Sequence, residues 1–400
     1  MPLPMNTLPR LCVLASVLLV MISVVLAESA APHFTTQAHA VAVRNVTAWP
    51  NLTPLADGSI IASIFNQPSH GFWEGDVDCW GTVDGGASWQ LRGTPAPHEP
   101  TTNRMNVAAG TNAKGELIVL AAGWSHRPLP PPEGTPRRFD PPAAILPIWV
   151  CRSTDGGRTW TRSEGVELPS RSRLAAQGVA LSDHLIPFGD IIQLGNGRLG
   201  VCLYAPKSLG VPNSNHEHAS YFFSSADDGL TWTLAGVIAS QDVNETTPLL
   251  LLDGSLLACG RTTRGRHLEL FRSADHGATW KAEGPVTASG EHPADLTALA
   301  DGRIVLTYGD RTGALPGSKW PEGSPGSATF PHGIEVRVSA DAGRTWSPPE
   351  RIATFDGDGG YPATVQLRDG RLLTAYYAKR RPGHEGYQMA TVTWKLAPRP

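Results

Sequence analysis

Residues 152–160 read Arg152-Ser153-Thr154-Asp155-Gly156-Gly157-Arg158-Thr159-Trp160, and the chain repeats this pattern four more times. The other copies are Thr82-Val83-Asp84-Gly85-Gly86-Ala87-Ser88-Trp89 and Ser225-Ala226-Asp227-Asp228-Gly229-Leu230-Thr231-Trp232, then eight residues around Asp275 ending at Trp280 and eight around Asp341 ending at Trp346. All five fit Ser/Thr-x-Asp-x-Gly-x-Thr/Ser-Trp. The pattern suits a tight turn between two strands. The carboxylate accepts backbone N–H groups of the turn, the glycine takes a conformation closed to other residues, and the tryptophan packs beneath the hairpin. A carboxylate satisfied in this way is scaffold, so the five turn aspartates are set aside as catalytic candidates.

A second repeat interleaves with the first. Apolar runs flank a turn centred on Gly58, Gly115, Gly197, Gly254, Gly302 and Gly370, mostly in Asp-Gly or Asn-Gly pairs. Such pairs between apolar runs are the strongest short-range hairpin signal. Six hairpins alternating with five Asp-containing turns predict an all-β fold, a six-bladed β-propeller of four-stranded antiparallel blades. The expected blades span residues 47–93, 102–166, 176–238, 243–287, 290–350 and 358–395. The last has no Asp-containing turn after its third strand, so residues 39–46 are expected to supply its outer strand and remove a free edge.

Residues 1–27 stand outside this scheme. Arg10 precedes an apolar run over residues 11–26, and Val25-Leu26-Ala27 offers small residues for cleavage before Glu28. The segment reads as a secretory signal peptide, with a retained anchor as the weaker alternative because the run is short of the ~20 residues a span needs. Residues 28–400 then form one domain, secreted or periplasmic. The net charge is −3, which does not favour nucleic acid or an anionic membrane surface as partner. Charged residues are only 17% of the chain, against 42 glycines and 35 prolines, as suits short strands joined by many loops. Cys79, Cys151, Cys202 and Cys259 read as buried free thiols, since Cys202 and Cys259 occupy equivalent strand positions in neighbouring blades. A disulfide is the alternative in a secreted protein.

Topology locates the function. The repeated tight turns lie on one face of such a scaffold. The long loops, residues 125–144, 206–219 and 312–331, lie on the other, where binding residues gather. The six inner strands begin there, at Trp49-Pro50-Asn51, Asn103-Arg104-Met105-Asn106, residues 184–190, Asn244-Glu245-Thr246, Glu291-His292-Pro293-Ala294-Asp295 and Asp358-Gly359-Gly360-Tyr361-Pro362. Each polar residue among them has a plain reading as a satisfied loop residue. Together they mark the expected site. His216-Glu217-His218 reads as solvated polar residues, His126-Arg127 and Arg137-Arg138 of the Pro-rich loop read as rim charge with a contact to an acidic glycan as the alternative, Asn45, Asn51 and Asn244 begin chance sequons, and no cofactor or metal is expected.

On these residues the chain resembles the sialidase superfamily, the Asp-box or BNR-repeat propellers, over nearly all of residues 28–400. The resemblance implies a Tyr nucleophile paired with a Glu, an acid/base residue, and arginines that clamp a substrate carboxylate. Tyr361 matches the nucleophile, Glu245 its partner and Arg261 the middle arginine. Ala48-Trp49-Pro50 stands where the family has Arg-Ile-Pro, and His332-Gly333 where it has a third arginine. The acid/base region carries His70 and Glu74 as proton donors. Arg104, Arg311, His184, Asp190, His292, Asp295 and His332 complete the expected substrate-binding set. With two clamp arginines absent, the expected activity is a secreted exo-glycoside hydrolase on terminal sugars, acidic but not necessarily sialic acid. The alternatives are a lyase or glycosidase built on Arg104, His184, His292 and His332, and a propeller that binds glycans without cleaving them.

Overall fold

The computed structural model describes residue 1 and residues 34–398 apart from residues 70, 72, 126–143, 168–184, 207–217, 313–330 and 382. Residues 2–33, which hold nearly all of the expected signal peptide, lie outside the described residues. Among the described residues there is no helix. After β1 (Phe34–Arg44), the first sheet runs β2 (Ala48–Pro54), β3 (Ile60–Phe65), β4 (Val77–Thr82) and β5 (Gln90–Ala96). The second comprises β6 (Thr102–Thr111), β7 (Leu117–Ser125), β9 (Trp149–Ser153) and β10 (Thr161–Ser163), with the short β8 (Ala144–Ile145) also on β7. A parallel pairing of β6 with β11 joins it to β11 (Ile186–Gln193), β12 (Leu199–Pro206), β13 (His218–Ser225) and β14 (Thr233–Ala239).

Two further sheets follow in chain order. They are β15 (Val243–Leu250), β16 (Leu256–Thr262), β17 (Leu268–Ser273) and β18 (Lys281–Pro285), then β19 (Glu291–Ala298), β20 (Ile304–Asp310), β21 (His332–Ser339) and β22 (Glu350–Phe355). The last contains β23 (Gly359–Gln366), β24 (Leu372–Arg381) and β25 (His384–Leu396), and β1 takes its outer place. The partner strand anticipated at residues 39–46 is thus longer and slightly shifted: His39 faces Val392, and the pairing extends back to Phe34 opposite Leu396.

The repeated turns have one construction. In the central copy the Ser153 hydroxyl donates to Asp155 Oδ1 at 2.8 Å and accepts Gly157 N–H at 2.9 Å. Thr159 gives Asp155 its N–H at 2.9 Å and its hydroxyl at 2.7 Å, and Trp160 Nε1 donates to Gly157 O at 3.0 Å. Gly157 has φ +90°, and the preceding residue is left-handed too, at Gly156 with φ +72° and even at Asp228 with φ +60° in the third copy. Two successive left-handed residues match the twist of a tight hairpin.

The core lies between adjacent sheets, where Ile118, Leu120 and Val150 of the second meet Val201, Tyr221 and Phe223 of the third. Cys79, Cys151, Cys202 and Cys259 are buried free thiols within these layers. The innermost strands β2, β6, β11, β15, β19 and β23 pack side by side in that order, and β23 also packs on β2. Each has a register shift near its start, as between Ala48 and Asn51 or Gly360 and Ala363. A bulge re-aims the side chains beside it, and here it happens where the strands converge.

Candidate active site

The starts of these six strands line a cavity of about 160 Å³. Glu245 (β15), Asp295 (β19) and Tyr361 (β23) supply its titratable groups, while Trp49, Trp124 and Phe188 supply aromatic wall. Tyr361 follows Gly360 in the β23 bulge and is itself left-handed, with φ +52°. A bulky residue held in that region is strained, and the surrounding rings fix it. Trp49, Phe188 and Tyr377 stand with their centroids 6.2, 6.1 and 5.8 Å from the Tyr361 ring.

The Tyr361 hydroxyl donates to Glu245 Oε1 at 2.5 Å. Arg261, near the end of β16, donates from Nη1 to Glu245 Oε2 at 2.7 Å and reaches Tyr361 Oη at 3.4 Å. Burial pushes the Tyr361 phenol above its ordinary value and the Glu245 carboxylate adds to this, so the resting tyrosine is neutral. Burial works against the charge of Arg261, but Glu245 and Tyr361 outweigh it and raise the guanidinium. The trio therefore holds a neutral phenol against a carboxylate acceptor, with a permanent cation beside the phenol oxygen.

Arg311, just after β20, joins the same cluster. Its Nη2 donates to Asp358 Oδ1 at 2.7 Å, and the Tyr377 and Tyr387 hydroxyls donate to the same carboxylate at 3.1 Å each. Deeper on the axis, Asn51 Nδ2 donates to Gly189 O and to Asp190 Oδ1, both at 2.9 Å, bridging β2 and β11. Asp295 Oδ2 accepts Thr364 N–H at 2.7 Å. Burial raises Asp295 to about 6, and burial together with Asp295 raises Asp190 well above the carboxylate range. The Asp295 carboxylate thus weighs against ionisation of Asp190.

Other anticipated residues fall elsewhere. His70 and His184 lie outside the described residues, as do the long loops for nearly all of their length. Glu74 is exposed and off the cavity; its Oε1 accepts Thr101 N–H at 2.6 Å, and its other oxygen is 3.8 Å from His98. Arg104 is a correction: it is only 2% exposed, donates to Pro147 O at 2.7 Å and lies 3.7 Å over the Trp149 ring. The β6 bulge between Arg104 and Asn106 is the reason, since it gives the cavity to Met105 and Asn106 instead. His332 is a second correction, buried edge-on to Phe355 and not part of the lining. His292 is buried close to the arginines.

Asp358 and the aromatic wall were missed as site residues, although Trp49, Phe188 and Asp358 all stand in the inner-strand starts. Trp124 carried a usable signal: it is the last residue but one of β7, the second strand of its sheet, as Arg261 is of β16. Asn51 and Asn244 are buried, which leaves no room for a glycan on either. Among the described residues no group of three or more His, Cys, Asp or Glu is arranged to hold a metal.

The family model for the BNR repeat-like domain matches residues 143–374. A solved protein of unknown function from Dyadobacter fermentans is 21% identical, with a TM-score of 0.71 over 92% of this chain and 100% of its own. The Hadza microbial sialidase Hz136 is 17% identical with a TM-score of 0.61, over 87% of this chain and 66% of its own. The Trypanosoma rangeli sialidase is 15% identical with a TM-score of 0.57, over 88% of this chain. The chain spans only 55% of the length of that enzyme. At these identities the likeness is one of fold. No curated protein matches the chain.

Proposed function

Because the chain belongs to the BNR repeat-like domain family, we propose that it is a sialidase-like exo-glycoside hydrolase acting on terminal, acidic sugars of glycans. The scaffold is read as a six-bladed propeller of residues 28–400, exported by a leader at residues 1–27. The observation that carries the reading is the Tyr361–Glu245–Arg261 contact, in which Tyr361 and Glu245 line the cavity at the inner-strand starts.

In this reading Tyr361 Oη attacks the anomeric carbon while its proton passes to Glu245. The bond from that carbon to the leaving oxygen breaks, and the leaving oxygen takes a proton from the acid, a role left to His70 because Glu74 stands off the cavity. Arg261 stabilises the charge that develops on the phenol oxygen, where a fixed cation in a dry site is most effective. Water then cleaves the glycosyl–tyrosine bond with return of the proton. A tyrosine nucleophile is a recognised departure from the two-carboxylate scheme. The alternative built on Arg104, His184, His292 and His332 loses support at two of its four residues, because Arg104 donates to Pro147 O and His332 packs edge-on to Phe355, both off the cavity.

The test is a screen of the purified protein against aryl glycosides of neutral and acidic sugars and against acidic polysaccharides. Release of a terminal sugar supports the hydrolase, unsaturated products indicate a lyase, and binding without cleavage indicates a glycan-binding propeller.

A further inference from the structure

Tyr361 and Glu245 are two of the titratable groups that line the axial cavity, and the chemistry proposed above leaves the other, Asp295, unused. Asp295 stands just past the register shift between Glu291 and Ala294 in β19, and it is only 6% exposed. Thr364 of the neighbouring β23 donates its backbone N–H to Asp295 Oδ2 at 2.7 Å, and the Thr297 hydroxyl donates to the same oxygen at 3.3 Å. Oδ1 takes part in neither bond. One oxygen of this carboxyl thus straps β19 to β23, and the other is left for whatever enters the cavity.

The cavity around Asp295 is rich in acceptors. Among the described residues its lining holds the carboxyl groups of Glu245 and Asp295 and no lysine, arginine or histidine. Several lining donors are already spent. The Tyr361 hydroxyl goes to Glu245, the Asn51 amide to Gly189 O and Asp190 Oδ1, and the Trp124 indole N–H to Asn106 Oδ1 at 3.2 Å. Burial raises Asp295 to about 6, so at neutral pH it is ionised and can only accept. A buried carboxylate short of donors is costly, and a donor brought by a ligand offsets that cost. A ligand carboxylate in the same place would instead meet two like charges.

We infer that Asp295 orients the sugar in the cavity, its Oδ1 accepting a ring hydroxyl so that a hydroxyl-bearing edge, and not the acidic group, faces the start of β19. The inference rests on the glycosidase reading above and assigns to Asp295 a selectivity for one hydroxyl of the bound ring. Asp295→Asn isolates this contact. The asparagine carbonyl oxygen still accepts Thr364 N–H and keeps the strap, while its NH₂ places a donor where the carboxylate offered an acceptor.

Calorimetric titration of the full chain with N-acetylneuraminate, D-glucuronate and D-galactose, then with each monodeoxy analogue of the sugar that binds most tightly, tests this without requiring turnover. In the wild type, removal of one particular hydroxyl should weaken binding at least ~10-fold, the effect of losing one charge-assisted hydrogen bond. Asp295→Asn should bind the parent sugar correspondingly more weakly and be indifferent to that same hydroxyl, with the other positions unchanged between the two proteins. The wild-type series stands by itself if the variant does not fold: no hydroxyl with such an effect, or no binding of any of the three sugars, overturns the contact. So does an Asp295→Asn protein with wild-type affinity and the wild-type hydroxyl preference. An Asp295-dependent hydroxyl preference in a protein that cleaves no glycoside would sink the hydrolase reading alone, whereas cleavage with KM unaltered by Asp295→Asn would sink the Asp295 contact alone.

Discussion

The Tyr361 hydroxyl and the Glu245 carboxylate, 116 positions apart in the chain, meet at 2.5 Å on the axis where the inner strands converge. Glu245 arrives from β15 and Tyr361 from β23, each displaced by a bulge near its strand start. The strain of a left-handed tyrosine is supported by the packed rings of Trp49, Phe188 and Tyr377. A neutral phenol shares the carboxylate with Arg261. That juxtaposition is the feature that the chemistry proposed above depends on.

Asp155→Ala should lower stability without lowering turnover per folded molecule. The carboxylate accepts bonds from Ser153, Arg158 and Thr159, and each such bond contributes ~0.5–1.5 kcal/mol, toward the low end at an exposed turn. The backbone N–H and hydroxyl of Thr159 depress this carboxyl below its ordinary 3.8, so its contribution is present above that pH and is lost as the pH falls below it. Thermal melts of the two proteins should therefore differ at pH 7 and converge on acidification. Loss of activity in folded Asp155→Ala protein would contradict the placing of this turn away from the site.

Asp190→Asn tests the axial carboxyl pair. Burial raises Asp295 to about 6, so the neutral form is favoured in the fold and the stability linked to it is complete below the ordinary 3.8 and lost as pH rises through about 6. Replacing Asp190 removes one of the two carboxyls while its side-chain oxygen can still accept from Asn51. The variant should be more stable than the wild type at pH 8, by an amount on the order of 1–3 kcal/mol, and no different from it at pH 4. A constant difference across that range would show that the pair is not coupled.

Arg104→Ala should cost stability and leave KM alone. Its guanidinium packs over Trp149 and satisfies Pro147 O, and truncating a buried charged donor costs about 2–4 kcal/mol. A raised KM at unchanged kcat in the folded variant would mean that the side chain reaches substrate after all.

The sheets were legible because their signals are local. An Asp-containing turn encodes its own hydrogen bonds within eight residues, and the missing sixth copy pointed to the outer strand that β1 supplies. Tyr361, Glu245 and Arg261 were legible through a motif resemblance joined to hairpin spacing. Arg104 was misread because a bulge moves the inward side chain by one position, and nothing in Asn103-Arg104-Met105-Asn106 announces the shift. The partnership of Arg311 with Asp358, 47 positions apart, depends on how two neighbouring sheets pack, which no short stretch records.

Steady-state turnover of Tyr361→Phe, on whichever aryl glycoside the wild type hydrolyses, is the most direct test of the proposed chemistry. Phenylalanine keeps the ring among Trp49, Phe188 and Tyr377 and removes only the oxygen that donates to Glu245. The account predicts a fall in kcat of ~10²-fold or more, because the covalent route is lost. A folded Tyr361→Phe protein with wild-type kcat would contradict it.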